Sequence, residues 1–141
     1  MFRLLLVVLL LAGCAARLPP PPEDAIAKRF EAISDRAVIY LARHPLDRDF
    51  VAQVLFDGEM LGSTYRGTYM RIEAPPGPHE IRGYAGDGGT IKINTAAGQI
   101  YFVQQTTNGY RSFTSSHFGL VDASYGRSMV TNGEITLLIR R

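Results

Sequence analysis

The sequence predicts a mainly β fold: a small antiparallel β-sandwich with a short amphipathic helix before it and a second short helix near residues 122–131. Three observations carry this expectation. Short apolar or alternating runs recur from residue 37 to residue 139, and several short strands at close spacing are the pattern of a sandwich. The runs are separated by Gly, Pro, Asp and Asn, the residues that reverse a chain. One of these boundaries, Asp57-Gly58, is a two-residue hairpin signal, because both central positions of the favoured turn need φ > 0.

The chain opens differently. Arg3 precedes eight aliphatic residues, Leu4 to Leu11, then Ala12, Gly13 and Cys14, the only cysteine. A membrane-spanning helix needs about 20 apolar residues, and Pro19 to Pro22 followed by Glu23 and Asp24 stop any extension. The stretch therefore reads as an export signal, residues 1–13. Leu11-Ala12-Gly13-Cys14 resembles the lipobox of bacterial lipoproteins, which implies cleavage between Gly13 and Cys14 and attachment of diacylglycerol to the thiol. A thiolate is a good nucleophile for that transfer. A lone cysteine in an exported chain has no internal disulfide partner, and lipidation accounts for it. Ala15, where an aspartate would favour retention at the inner membrane, points to an outer-membrane location facing the periplasm.

Residues 14–22 then form the lipidated cysteine and a tether. Its proline run extends about 3.1 Å per residue, which holds the following domain roughly 25 Å or less from the lipid. With residues 1–13 removed from 141, the remaining 128 suit a single domain, residues 23–141. Residues 14–141 carry 14 basic and 13 acidic residues, Arg3 being gone. Such a balance gives no reason to expect a nucleic-acid partner, which would want a basic stripe.

Within the domain, Ile26, Phe30 and Ile33 recur at helical spacing and predict an amphipathic helix over residues 23–33. Strands are predicted over residues 37–43, 50–56, 59–63, 68–73, 79–85, 90–95, 99–107 and 135–139. In the fourth of these, Thr68, Met70 and Ile72 share one face and Tyr69, Arg71 and Glu73 the other. Ala96-Ala97-Gly98 is expected to join residues 90–95 and 99–107 as a hairpin, and Asn108-Gly109 to break the chain. Residues 110–119 carry no clear pattern. Asp122 is the expected N-cap of the second helix, with Asn132-Gly133 as its stop.

Three motifs in order carry a second resemblance: Val54-Leu55-Phe56-Asp57-Gly58-Glu59-Met60-Leu61-Gly62, then Pro75-Pro76-Gly77-Pro78-His79-Glu80-Ile81, then Ala97-Gly98-Gln99-Ile100-Tyr101-Phe102-Val103. Over residues 36–125 the chain resembles a domain of unknown function in proteobacterial lipoproteins, related to PEGA-type modules. The resemblance implies an Ig-like or PEGA-like β-sandwich on the periplasmic side of the envelope and no particular activity. Read from the residues, Gly58, Gly77 and Gly98 are turn positions, and Asp57 is expected to cap its own turn.

Catalytic chemistry leaves little trace. His44, His79 and His117 are scattered, whereas a metal site wants clustered ligands, so neither metal nor cofactor is expected. Ser115 or Ser116 with His117 and Asp122 makes a triad only on paper, without a Gly-x-Ser-x-Gly elbow. Glu73 and Glu80 flank the proline loop and would have to meet across a hairpin to act as paired acids. Gly86-Asp87-Gly88-Gly89 lacks the helix and lysine of a phosphate loop. The tyrosines remain: Tyr65, Tyr69, Tyr84, Tyr101 and Tyr110 fall on or beside strands, and Tyr69 and Tyr110 are the candidate binding surface. The expectation is a lipid-anchored, palmitate-bearing envelope protein, not an enzyme, that meets another envelope protein. The alternatives are a peptidoglycan-binding module using exposed tyrosines and, ranked last, an envelope hydrolase.

Overall fold

A computed structural model describes residues 20–110, 113–132 and 136–138. Within them, two helices and nine strands follow one another: α1 (Pro22–Ala27), β1 (Ala37–Arg43), β2 (Ala52–Phe56), β3 (Glu59–Thr64), β4 (Thr68–Ala74), β5 (Gly77–Gly83), β6 (Thr90–Thr95), β7 (Ile100–Tyr110), β8 (Phe113–Val121), α2 (Ala123–Asn132) and β9 (Thr136–Leu137). They build a β-sandwich. One sheet has the order β8-β7-β1-β4-β9 and the other β3-β2-β5-β6.

Strand β1 explains the layering. All seven of its residues are buried, as expected for a strand covered on both faces. Ile39 and Leu41 point into the space between the sheets with Val54, Met70, Ile72, Ile81, Val103 and Phe118. Val38, Tyr40 and Ala42 point the other way, beneath a helical layer that contributes Ala27, Met129 and Val130. The sandwich is thus capped on one side by α1 and α2.

Five of the strand pairings are antiparallel, while β1–β7 and β4–β9 run parallel. Parallel neighbours cannot be joined by a tight turn and need a long crossover. Here the whole of β2 to β6 separates β1 from β7. Residues 96–99 accordingly form no hairpin: β6 pairs only with β5, and β7 pairs with β1 and β8. Ala96-Ala97-Gly98 carries the chain from one sheet to the other.

Other expectations need correction at the ends. α1 covers six residues and stops at Lys28, and Phe30 takes φ 54°. The apolar spacing of Phe30 and Ile33 is real, since both pack on the helical side of the core, but they do so from irregular backbone. Ile26 is 57% exposed. Asn108-Gly109 does not break the chain, because β7 continues to Tyr110 and pairs with β8 along its length. The region left without a pattern, residues 110–119, is mostly β8. Asp122 does cap α2, its Oδ1 accepting the Tyr125 N–H at 2.9 Å. Gly133, Ile135 and Ile139 lie outside the described residues.

Candidate functional site

The strand registers sort the connections onto two ends. Arg43, closing β1, stands opposite Thr68, which opens β4. β7 runs parallel to β1 and ends at Tyr110 opposite Phe113. Val54 in β2 pairs with Gly83 at the close of β5. Residues 44–51, 65–67, 84–89 and the β7–β8 turn therefore share one end. The turns at residues 57–58, 75–76 and 96–99 share the other.

The first end is built over a buried cation. Arg43 is fully buried, and all its guanidinium nitrogens are satisfied. Nε donates to Asp47 Oδ2 at 2.9 Å, Nη1 to the carbonyls of Phe50 (2.7 Å) and Thr64 (3.0 Å), and Nη2 to the Arg48 carbonyl (2.9 Å) and Thr107 Oγ1 (2.7 Å). A buried charge is tolerable only with this completeness of pairing. The result is that residues 44–51, otherwise a long irregular loop, wrap around one side chain.

A second chain of hydrogen bonds runs across the sandwich. Thr64 Oγ1 donates to Gln105 Oε1 (2.8 Å), Gln105 Nε2 to Ser116 Oγ (2.9 Å), and Ser116 Oγ to Asp87 Oδ2 (2.6 Å). Asp87 Oδ1 accepts the N–H groups of Ser116 (2.6 Å) and Gly89 (3.0 Å). Residues 84–89 are thereby clamped to β8. The fit is close: a Cβ on Gly89 would lie 2.1 Å from the Ser116 carbonyl oxygen. Gly86-Asp87-Gly88-Gly89 is thus a fixed wall whose carboxylate holds a neighbouring strand.

Between that wall, the start of β2 and the β7–β8 hairpin lies an open groove of about 490 Å³. Val51, Tyr84 and Phe113 bring apolar surface to it; Gln53, Ser63 and Thr114 bring polar groups. Phe113 is 76% exposed, and Leu46 in the neighbouring loop is 88% exposed. A large, partly apolar concavity with a few polar groups is the usual form of a binding site.

The residues singled out from the sequence fall as follows. Gly13 and Cys14 lie outside the described residues. Tyr69 is 0% exposed and belongs to the core beneath α1; it cannot be part of an exposed surface. Its hydroxyl donates to Asp24 Oδ1 at 2.9 Å, and burial together with that carboxylate pushes its pKa far up. Tyr110 closes β7 at the loop end. Tyr65 and Tyr84 are exposed at the same end, and Tyr101 is half-buried. Asp57 and Gly58 take φ 51° and 84°, as the hairpin requires, and Gly77 and Gly98 take 135° and 74°.

Asp57 does more than shape its turn. Its Oδ1 accepts the Glu80 N–H (2.8 Å), and its Oδ2 lies 2.7 Å from His79 Nδ1, so it ties the β2–β3 turn to β5 instead of capping itself. His79 Nε2 is 2.7 Å from the Pro75 carbonyl oxygen. Both ring nitrogens thus face acceptors, an environment that fits the doubly protonated imidazolium. Burial pulls the His79 pKa down, but Asp57 and the Pro75 carbonyl outweigh it and leave it raised. Burial likewise raises Asp57, but the Glu80 N–H and His79 prevail and leave it lowered.

The paper constellations are not assembled. Ser116 faces inward on Asp87 and Gln105, His117 is exposed, and Asp122 is engaged at the α2 cap. Glu73 and Glu80 lie in different sheets, paired with Arg71 and Arg82. His44 Nδ1 accepts the Leu46 N–H. Among the described residues no three His, Cys, Asp or Glu side chains are grouped to hold a metal ion.

Sequence reasoning missed Arg43, Asp87 and Phe113. Arg43 had a signal, a charge closing the unbroken apolar run of residues 37–42. Asp87 and Phe113 had none that separates them from ordinary turn and strand residues. The molecule is a small, helix-capped β-sandwich with a groove at one loop end. No protein-family model matches the chain, and no curated protein matches it.

Proposed function

We propose that this chain is a lipid-anchored protein of the bacterial envelope, held by Cys14, whose sandwich is a non-catalytic interaction module. The observation that carries the reading is Leu11-Ala12-Gly13-Cys14 closing an aliphatic leader. The mixed apolar and polar loop groove supports it, as a surface for association next to the membrane. Membership of the lipoprotein family named above, and residence in the outer membrane, belong to the same proposal; they rest on the motifs and on Ala15. The partner is then another envelope component.

Cys14→Ser tests the anchor. It should abolish palmitate labelling; labelling at wild-type level would overturn the reading.

A second reading takes a glycan as the occupant of the groove. Tyr84 and Phe113 present exposed rings beside Gln53, Ser63 and Thr114, and sugars offer an apolar face edged by hydroxyls. With Tyr69 buried, the expected surface passes to Tyr84 and Phe113. Sedimentation with purified sacculi should carry the wild type and spare the protein with Tyr84→Ala and Phe113→Ala; no sedimentation of the wild type removes the glycan.

A further inference from the structure

Large apolar side chains left in water are not spread evenly over this molecule. Among the described residues nine are exposed, and five of them, Leu46, Val51, Tyr65, Tyr84 and Phe113, stand at the loop end. They come from four different connections that share that end. Val51, Tyr84 and Phe113 share the groove. Thr114 Oγ1 donates to the Val51 carbonyl at 3.2 Å, which joins the hairpin to residues 44–51. Arg66 pairs with Asp49 at 3.5 Å, which brings the turn holding Tyr65 against the same loop.

The other four lie on four separate elements. Ile26 is on α1 and Tyr125 on α2, while Met60 and Leu120 stand on edge strands of different sheets. β8 packs over β5 and β6, so β3 is on the far flank from it. Isolated exposed apolar residues are ordinary, but a contiguous group marks a contact surface.

The path of the N-terminal segment says what covers that group. Asp24 accepts from the Tyr69 hydroxyl and the Leu137 N–H, near the start of β4 at the loop end. Ala27 accepts from Tyr40 in the middle of β1. Phe30 packs on Phe102 near the start of β7, and Ile33 and Arg36 accept from Gly98 at the far end. Traced backwards, the chain climbs the helical face and leaves the domain at the loop end. Five residues lie between Cys14 and Pro20, a span of at most about 22 Å.

We propose that the loop end is a membrane-contacting face, with Leu46, Val51, Tyr65, Tyr84 and Phe113 resting in the interface of the bilayer that holds the Cys14 lipid. The proposal rests on the anchor proposed above. A short tether leaving at that end turns it towards the lipid, and tyrosine and phenylalanine suit a boundary that is apolar on one side and wet on the other. The charges there are mixed, Arg48 and Arg66 beside Asp49. Contact is therefore apolar and needs no anionic lipid.

The chain contains no tryptophan, so one introduced indole reports alone. Phe113→Trp, Leu46→Trp and Tyr125→Trp change exposed side chains and leave the core intact. Each full-length protein, labelled with palmitate in cells, is placed in phosphatidylethanolamine vesicles containing brominated phosphatidylcholine. Blue-shifted, quenched emission from positions 113 and 46, with position 125 unchanged, is the expected result.

Labelled protein without quenching at 113 and 46 overturns the face and leaves the anchor standing, as does equal quenching at all three positions. No palmitate labelling overturns the anchor and the face together. A response at 113 to purified sacculi and not to vesicles overturns the face in favour of a glycan site.

Discussion

The two ends of the sandwich are made from different chemistry. At the far end the connections are tight: Asp57-Gly58 reverses in two residues, and the Gly98 N–H is taken by the carbonyls of Ile33 and Arg36. His79 and Asp57 lock the proline connection to the hairpin. At the loop end two of the four connections are long, residues 44–51 and 84–89; apolar side chains point outward there, while Arg43 and Asp87 hold the two long connections from within. Long loops generally carry function and tight turns generally carry geometry. Here the difference lies in how order is achieved: backbone conformation at one end, buried side-chain hydrogen bonds at the other. A surface that must stay apolar outside can still be rigid if its polar partners lie underneath.

The largest expected effect is at the loop end. Arg43→Met leaves the Asp47 carboxylate and several carbonyls without their cation. Breaking a buried charge pair of this kind costs about 3–5 kcal/mol, read as a lower urea midpoint. An unchanged midpoint would show that residues 44–51 do not depend on the clamp. Asp87→Ala should cost about 1–3 kcal/mol, since the Ser116 and Gly89 donors lose their acceptor. It should also speed hydrogen exchange at Gly89 and Ser116 while sparing residues 57–58; uniform change at both ends would break the comparison.

At the far end, effects are smaller. Gly98 has φ 74° and open space where a side-chain methyl would stand, so Gly98→Ala should cost only the backbone penalty, about 1–2 kcal/mol. A larger loss would mean the turn relies on contacts as well as conformation. The His79 pair adds a pH dependence. Its folded pKa is raised above the ordinary 6.5, so its contribution is fully present below that value and is lost as pH rises through the folded pKa. Unfolding midpoints should therefore fall across that window, and His79→Gln should flatten the slope; a slope that persists would assign it elsewhere. Asp57, lowered, contributes above 3.8 and loses its share as acid takes the pH down through its folded pKa.

Much of the fold was legible because the signals were local. The apolar run of residues 37–42 marks a buried strand, and Asp57-Gly58 marks a hairpin with both residues at positive φ. β8 was hidden for a physical reason. Ser116 faces inward and is polar because Asp87 and Gln105 bond to it, so the usual apolar alternation is masked. The turn at residues 96–98 was recognisable, but turn chemistry does not say which sheet receives the next strand. Tyr69 shows the limit most plainly. Periodicity correctly set it opposite Met70 and Ile72, yet only the tertiary fold places α1 over that face. The groove was illegible because three connections distant in sequence build it.

Hydroxyl-radical footprinting tests the membrane-contacting face most directly, by comparing the lipidated protein on vesicles with the Cys14→Ser protein in buffer. Oxidation should slow at Leu46, Tyr65, Tyr84 and Phe113, with Met60, Leu120 and Tyr125 unchanged. Equal protection at both ends, or protection at Met60, Leu120 and Tyr125 alone, would contradict it.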